Sequence, residues 1–433
     1  MKQFEKIQQL DKIMIFADRG FICPEICKLV TLKEDVDIDC LTKALEITLE
    51  KFPQFKNTLA FNSEDVVYVV NDKKPVIKPY DGSTYTLGTE ETEGFLFVIA
   101  ASGKVINTRI HHCLSDGRGH SIFLNALLYY YFQCLGKTIS IEDNPIPLSQ
   151  EECKTFDIME YVTSLDYQPL GAYDKPTDGS CFFMTNDFFP ADNYRERAYC
   201  YTIPTGDLIK ETHHADSTPA PFLEACISRA IKRAFNITDK MIVGDCAFDM
   251  RGMFGVNNIN NSAWICGMPY FPMMNDYDLE YCASLLRARL LVELLRDNVI
   301  FTMNKAKIFH KIYSEIEASS PKERVVKMQQ VFSNMPPLST FHLSYVGKSN
   351  LPKDMEKELA DYTVYFPGGI YGSNFSIIDF NGKIQMTYQC PSPDEILAHE
   401  IYNVLKEYTP NVEFKDLGTR YFDKMDVMRS ETI

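Results

Sequence analysis

Residues 95–135 limit the possible folds of this chain more than any other segment. The run FLFVIAASGKVINTRIHH (95–112) has two apolar arms that meet at Ser102-Gly103, which predicts a β-hairpin. The run SIFLNALLYYYFQCL (121–135) is too long for one strand and is followed by Gly136, so it predicts a helix. A hairpin that leads through a polar turn into a helix indicates a mixed α/β fold.

Strands and helices also alternate in the rest of the chain. The pattern predicts helices over 38–52, from Thr218-Pro219 onward, and from a capping box at 392–395 through Tyr408. It predicts strands over 66–70, 197–203, 241–252 and 383–390. The pattern weakens between 146 and 192, where residues 169–180 are rich in Pro, Gly and Asp. A chain of 433 residues exceeds one ordinary hydrophobic core, so we expect two units, residues 1–180 and 181–433.

The charge and the cysteines exclude several classes of protein. A net charge of −15 repels nucleic acid and anionic membranes, and the basic segments 305–311 and 321–327 read as solvated helix faces, with a phosphorylated ligand as the alternative. The 13 cysteines lie singly among apolar residues without a C-x-x-C pair, which indicates reduced, buried thiols; we also interpret Cys23 and Cys27 as structural. We find neither a signal-peptide core nor an apolar run long enough to span a bilayer, so we expect a cytoplasmic protein without an integral membrane segment.

The polar turn RIHHCLSDGRGHS (109–121) holds three of the eight histidines. A histidine at the end of the hairpin, His112, can accept a proton near neutral pH, and we expect Asp116 to anchor the turn on a cation elsewhere. Gly117 is expected to supply a backbone angle that other residues resist. Adjacent strand residues point to opposite faces, so His111 and His112 do not favour a shared metal ion, and His213-His214 reads as a solvated face.

The motif H-H-x-x-x-D-G should arise by chance in roughly one such chain per two thousand. HHCLSDG (111–117) resembles the signature of the superfamily related to chloramphenicol acetyltransferase, which includes condensation domains of non-ribosomal peptide synthesis. The extension DGRGHSIFLNALLYYYF is most similar to the alcohol acetyltransferases and their bacterial relatives, as are ALEITLEKFPQFKNTL, TPAPFLEACISRAIKRAF, DMRGMFG and NINNSAW. The resemblance covers about residues 10–408.

The resemblance implies a pseudo-dimer of two chloramphenicol acetyltransferase-like lobes with mixed sheets and helices, and an active-site channel between them. His112 matches the family's general base, and His111 matches a supporting residue. Asp116 matches a mainly structural aspartate that pairs with an arginine of the other lobe, for which Arg251 is the best match. Ser344, in STFHLSYVGK, is a weak candidate for stabilising the oxyanion.

The expected reaction moves an acyl group from a thioester to an alcohol or amine. Acyl-coenzyme A is the expected co-substrate, with a phosphopantetheinyl carrier protein as the alternative donor; no bound cofactor and no metal are expected. We expect a monomer without a nucleic-acid partner. Two alternatives remain open, a stand-alone condensation enzyme and a non-catalytic binding protein of the same fold.

Overall fold

The computed structural model describes residues 4–18, 24–81, 85–153, 156–174, 179–184, 195–335, 339–366, 373–390 and 395–421. The elements before residue 180 are β1 (Phe4–Lys6), α1 (Gln9–Ala17), β2 (Glu25–Leu32), α2 (Ile38–Lys51), β3 (Asn57–Phe61), β4 (Val66–Val70), β5 (Lys78–Pro79), β6 (Phe97–Ser102), β7 (Val105–His111), α3 (Gly117–Cys134) and α4 (Ile158–Val162).

The elements after residue 180 follow a similar mixture of strands and helices. They are β8 (Arg195–Pro204), α5 (Thr205–His214), α6 (Pro219–Ala234), β9 (Ile242–Asp249), α7 (Arg251–Phe254), β10 (Ala263–Tyr270), α8 (Leu279–Glu293), α9 (Arg296–Glu315), α10 (Pro321–Asn334), β11 (Phe341–Lys348), α11 (Lys353–Glu356), β12 (Leu359–Tyr365), β13 (Asn374–Phe380), β14 (Lys383–Cys390), α12 (Ile396–Tyr408) and β15 (Glu413–Tyr421).

Two large mixed sheets organise these elements. The first has five strands in the order β12-β2-β7-β6-β5, and the second has seven in the order β10-β9-β11-β13-β14-β8-β15. β5 runs parallel to β6, and β11 runs parallel to both β9 and β13, whereas the other pairs of these two sheets are antiparallel. A small sheet, β1-β4-β3, lies beside them.

The second half of the chain completes the first sheet. β12 pairs along β2, from Leu359 opposite Leu32 to Tyr365 opposite Cys27. Helices α9 and α10 also pack into the hydrophobic core of the first sheet, through residues such as Met303 and Met328. The division of the chain at residue 180 stays a prediction. It did not include the contribution of β12, α9 and α10, which follow residue 180, to the first sheet and its core.

Each large sheet has its own apolar core. The first core combines α1 to α4 with α9, α10 and the inner residues of the first sheet. The second combines α6, α8 and α12 with the second sheet. The amphipathic helix α6 begins after Thr218 with Pro219, as its sequence predicts, and buries residues such as Phe222 and Ile227.

Most of the local predictions are confirmed, and two boundaries were wrong. The hairpin forms as β6 and β7, turning at residues 103–104, and α2, β4, β8, α6, β14 and α12 form where the sequence predicts them. The strand predicted over 241–252 forms as β9 but ends at Asp249, because Met250 takes a helical conformation and α7 begins at Arg251. The helix predicted from Ser121 begins earlier, at Gly117, because the Asp116 side chain caps it. Most of the predicted capping box (392–394) and Cys23 lie outside the described residues. The basic segments 305–311 and 321–327 lie on α9 and α10.

The eleven cysteines whose side chains the structure describes are free thiols, and nine of them are buried. Among the described residues, no helix is both long and apolar enough to cross a membrane.

Candidate active site

The turn between β7 and α3 is fixed by the carboxylate of Asp116. Its Oδ1 accepts hydrogen bonds from the backbone N–H groups of Arg118 (3.1 Å) and Gly119 (2.9 Å), which would otherwise be unpaired in the first turn of the helix. Asp116 is buried. The aspartate of the motif is therefore the N-cap of a helix of 18 residues.

The glycine that this turn requires is Gly119, not Gly117. The φ angle of Gly117 lies outside the left-handed region and a Cβ there would meet no neighbouring atom, so the expectation of a special backbone angle at Gly117 was wrong. A Cβ on Gly119 would overlap Ser115 Oγ and the carbonyl oxygen of Ile259. Gly119 thus allows the first turn of α3 to approach the second half of the chain closely.

Asp116 also forms a buried, bidentate ion pair with Arg251. Arg251 Nη1 donates to Asp116 Oδ2 (2.9 Å) and Nη2 donates to Oδ1 (3.1 Å), so the predicted contact between these side chains is present. The backbone N–H of Ser262 donates to the same carboxylate at 2.8 Å. Burial alone would raise the pKa of Asp116, but the Arg251 charge and these hydrogen bonds hold that pKa below its ordinary value.

Arg251 is held in turn by the segment that follows it. Its Nε donates to the carbonyl oxygen of Asn258 (2.7 Å) and its Nη2 to that of Asn260 (2.6 Å). On the other side, Ser115 Oγ donates to the carbonyl oxygen of Ile259 at 2.5 Å. The motif turn and residues 258–262 therefore form one hydrogen-bonded junction between the two halves of the chain.

His112 lies directly after β7, next to this junction. Its backbone N–H donates to the carbonyl oxygen of Pro24 (2.7 Å), and its own carbonyl oxygen accepts from Asn261 Nδ2 (2.6 Å). Its ring contacts the ring of Phe366 edge-on, with centroids 5.8 Å apart. Burial lowers the pKa of His112, although the Asp116 charge opposes that effect, so the imidazole is neutral and able to accept a proton near neutral pH.

Asn261 and Asp11 support His112, and sequence reasoning missed both roles. Asn261 Nδ2 donates to Asp11 Oδ1 at 2.6 Å as well as to His112, so Asp11 orients the amide that holds the histidine backbone. Burial raises the pKa of Asp11 to about 7 despite its hydrogen bonds with Asn261. The segment NINNSAW was noted only as a family resemblance, and the sequence carries no local signal that Asp11 meets it.

His111 and Arg109 are structural neighbours of the site. His111 is buried, its Nδ1 accepts from the backbone N–H of Cys113 (3.0 Å), and its Nε2 lies 3.4 Å from Asp18 Oδ2. Arg109, which had no predicted chemistry, forms a buried ion pair with Glu25 on β2. These contacts hold the end of β7 from which His112 projects.

A buried lysine, which sequence reasoning also missed, ties β2 to α3. Lys28 Nζ donates to the carbonyl oxygen of Gly117 (2.8 Å) and to Ser121 Oγ. Burial lowers the pKa of Lys28 to about 7, although the Asp116 charge opposes that effect. His120, in the first turn of α3, is buried and its Nε2 lies 2.8 Å from Thr108 Oγ1.

A cavity of about 400 Å³ lies against the motif turn. Asp116, Gly117 and Arg118 line it from the first half, and residues 247–249, 344–346 and 348–350 line it from the second half. Ser344 belongs to this wall, and its role in binding an oxyanion stays a prediction. The charged residues that line the cavity are Arg118, Arg251, Lys348, Asp116 and Asp249, so positive charges exceed negative ones by one. Arg118 Nε lies 3.5 Å from Asp249 Oδ2.

Among the described residues, the His, Cys, Asp and Glu side chains form no group of three or more that could hold a metal ion. His213 and His214 are exposed on α5, as their pattern predicts. What the site does offer is a neutral imidazole, fixed through its backbone and four residues before Asp116, which lines the cavity.

Comparison with solved structures shows a fold shared over nearly the whole chain. Polyketide synthase associated protein 5 from Mycobacterium tuberculosis matches with a TM-score of 0.58 at 14% identity, covering 93% of this chain and 98% of that one. F. graminearum TRI101, in complex with coenzyme A and T-2 mycotoxin, matches with a TM-score of 0.58 at 13% identity, covering 95% and 99%. The first condensation domain of the CDA synthetase matches with a TM-score of 0.59 at 11% identity, covering 95% and 99%.

These likenesses confirm the predicted α/β fold with two lobes and mixed sheets. No protein-family model matches the chain, and no curated protein matches it at a significant level.

Proposed function

We propose that this protein is an acyltransferase that moves an acyl group from acyl-coenzyme A to an alcohol or amine, with His112 as the general base. The observation that carries the proposal is the placement of His112. Its backbone is held by Pro24 on one side and Asn261 on the other, and its ring has a lowered pKa and projects where the two halves of the chain meet. A fixed, neutral imidazole is what proton removal from a hydroxyl or amine requires.

In the proposed reaction, a ring nitrogen of His112 takes the proton of the acceptor O–H or N–H as the acceptor attacks the thioester carbonyl carbon. A tetrahedral oxyanion forms, and its collapse breaks the C–S bond. The thiolate leaves with the proton that His112 carries, so the imidazole returns to its neutral form. Ser344 is the proposed hydrogen-bond donor to the oxyanion, an interaction worth about 3 to 4 kcal/mol in other enzymes.

We assign supporting roles to the other residues of the motif. Asp116 and Arg251 hold the turn through their ion pair, and Gly117 is the first residue of α3, which follows the turn. His111 supports the strand end beside His112. The similarity of residues 111–132 to alcohol acetyltransferases is our reason for favouring that kind of acyltransferase.

We place the thioester donor in the cavity beside the motif turn. Arg118 and Lys348 line it, and both are suited to the phosphate groups of coenzyme A. Coenzyme A is present in the TRI101 complex of similar fold, which supports a free thioester as donor. The division into lobes 1–180 and 181–433, the cytoplasmic location and the monomeric state remain part of this proposal.

The test is the release of free thiol from acetyl-coenzyme A in the presence of a panel of alcohols and amines. We expect turnover by the wild type and a loss of about 10²- to 10⁴-fold for His112→Ala. His213→Ala is the matched control, because His213 is an exposed histidine on α5, and it should keep the wild-type rate. Equal rates for wild type and His112→Ala with every acceptor would contradict the proposal.

The second candidate, a condensation enzyme, is favoured by the fold shared with a condensation domain. Acyl groups on a phosphopantetheinyl carrier protein, offered in the same assay, distinguish it from the first. Turnover with the carrier-bound donor alone would assign this alternative. A chain that binds the panel compounds without turning over either donor would be a binding protein.

A further inference from the structure

A row of polar side chains crosses the second sheet on the face opposite α6. His342 on β11 is paired with Asp245 on β9 and with Asn374 on β13, and Asn374 is paired with Gln389 on β14. Paired residues of neighbouring strands point to the same face of a sheet. These four residues, which we call the polar row, therefore lie side by side.

The polar row is buried, and the other face of the same strands is an ordinary apolar core. Asp245, His342, Asn374 and Gln389 are exposed by only 6%, 7%, 1% and 3%. The residues that follow or precede them along each strand point towards α6 and belong to the second core; they are Cys246, Leu343, Phe375 and Tyr388. Neighbouring buried polar side chains on four strands are unusual for a face that only supports packing.

The polar row lies close to the proposed general base. The Phe366 ring contacts both the His112 ring (5.8 Å between centroids) and the His342 ring (6.2 Å). At the other end of the row, Asp245 is paired with Gly267, and a Cβ on this glycine would lie only 2.7 Å from the Tyr173 ring. Phe366 and Tyr173 thus flank the polar row, and Phe366 connects it to His112.

The polar row offers hydrogen bonds in both directions. The amides of Asn374 and Gln389 each donate and accept, and the Asp245 carboxylate accepts. Burial, and the proximity of His112, lower the pKa of His342 to about 4, so near neutral pH its ring has one donor and one acceptor nitrogen. Gln389 Oε1 is buried and finds no hydrogen-bond partner among the described residues.

A molecule bound against this surface would have to match it. A purely alkyl ligand would offer no hydrogen-bond donor to Gln389 Oε1, whereas a hydroxyl or amino group would supply one. The cavity lined by Arg118 and Lys348 lies against the Asp116 turn and does not include the polar row. The proposed donor site and the polar row are then separate sets of residues.

We propose, on the basis of the acyltransferase function above, that the polar row binds the acceptor, and that this acceptor carries hydroxyl or amino groups beyond the one that is acylated. The natural acceptors are then polyols or amino alcohols, and unsubstituted alkyl alcohols are poor substrates.

The experiment compares acceptors of equal chain length that differ in one group: an alkyl alcohol, the corresponding diol and the corresponding amino alcohol. For the wild type, we expect kcat/KM to be about 10- to 100-fold higher with the diol or the amino alcohol than with the alkyl alcohol. Preference for the diol alone, or for the amino alcohol alone, identifies which group the polar row recognises.

Gln389→Met and His342→Leu should reduce the preference to a few-fold, mainly through KM for the polar acceptors. Gln133→Met makes the same change at an exposed position on α3 and should leave the preference intact.

Equilibrium binding of the same acceptors, measured by calorimetry, separates this proposal from the proposed function. Equal binding of all three acceptors to the wild type, unchanged by Gln389→Met in a protein of unchanged Tm, would overturn the proposal even if His112→Ala abolishes turnover. Selective binding of the polar acceptors that is lost in Gln389→Met, without turnover by the wild type, would support the polar row and contradict the acyltransferase. His342→Leu, on a different strand, provides the same comparison if Gln389→Met fails to fold.

Discussion

His112 is positioned through its backbone, and its surroundings favour the neutral imidazole. Because burial lowers its pKa below the ordinary value near 6.5, the basic form is already dominant at neutral pH. We expect kcat/KM to rise with pH through an inflection below 6.5 and then to stay level to about pH 8. A pH profile of thiol release measures this, and a rate that falls as pH rises from 5 to 7 would contradict His112 as the base.

Asn261 is a positioning residue that acts on His112 through a carbonyl oxygen. In Asn261→Ala, both the bond to His112 and the bond to Asp11 are lost, and small misplacements of a catalytic group can cost about 100-fold in rate. We expect kcat to fall by about 10- to 100-fold with KM little changed.

Asp11→Asn is the matched control for Asn261→Ala, since an amide oxygen at position 11 can still accept from Asn261 Nδ2. It should keep most of the activity. If both substitutions lower kcat equally, the role of Asn261 is not specific to His112 and general loss of packing explains the effect; Tm values measured alongside make that distinction.

From the residues alone, the site was predictable only where the sequence places its members together, and Arg251 and Ser344 were identified only through the family resemblance. His112, Asp116 and Gly117 stand in one motif, whereas Asp11, Lys28, Asn261 and His342 reach the site from distant parts of the chain. Alternation along FHLSYVGK would have placed His342 on the same face as Ser344, but it does not show that this face is near His112.

At the level of elements, the first turn of α3 contains two glycines, of which only Gly119 lacks space for a side chain. A side chain at Gly119 would overlap Ser115 and Ile259, whereas a side chain at Gly117 meets nothing. We expect Gly119→Ala to lower the free energy of unfolding by about 1 to 3 kcal/mol. Gly117→Ala should leave it unchanged or raise it by up to about 1 kcal/mol. Urea denaturation compares the two, and equal effects would show that the close approach at Gly119 is not present in solution.

The Asp116–Arg251 pair joins α3 to the segment that contains α7. In Arg251→Ala the buried carboxylate loses its partner, so we expect a loss of about 3 to 5 kcal/mol in the free energy of unfolding. Replacing both side chains, in Asp116→Asn/Arg251→Met, should cost less than Arg251→Ala alone. A loss below 1 kcal/mol for Arg251→Ala would show that the pair is not a main support of the junction, and its role would then have to be chemical.

The sequence predicts the elements well because their signals are local. Apolar periodicity and the Thr218-Pro219 start locate α6, and the Ser102-Gly103 turn locates the hairpin. The predicted start of α3 was wrong because its first turn, GRGH, is polar and rich in glycine, as loops are. Only the hydrogen bonds of the Asp116 cap show that the helix begins at Gly117.

On the scale of the whole molecule, residues from both halves build the first sheet and its core. β12 covers the edge of β2, and α9 and α10 fill the first core. No local pattern reveals such pairing, since it joins segments far apart in sequence.

We therefore expect residues 1–180, expressed alone, to be insoluble or to lack cooperative unfolding. Co-expression with 181–433 should restore a folded complex, as judged by size-exclusion chromatography and near-ultraviolet circular dichroism. A monomeric 1–180 fragment with a cooperative thermal transition would contradict this expectation and would support two independent lobes.

β12 also determines when the first sheet can be completed during translation, because this strand is made late. The ribosome makes β2 and the motif turn long before it makes residues 359–365, so the growing chain carries an open strand edge for most of its synthesis. Open edges of this kind pair readily with other chains. A premature stop before residue 359 would consequently release a product that carries His112 and Arg251 but aggregates, so the proposed general base would be present in the cell without contributing activity.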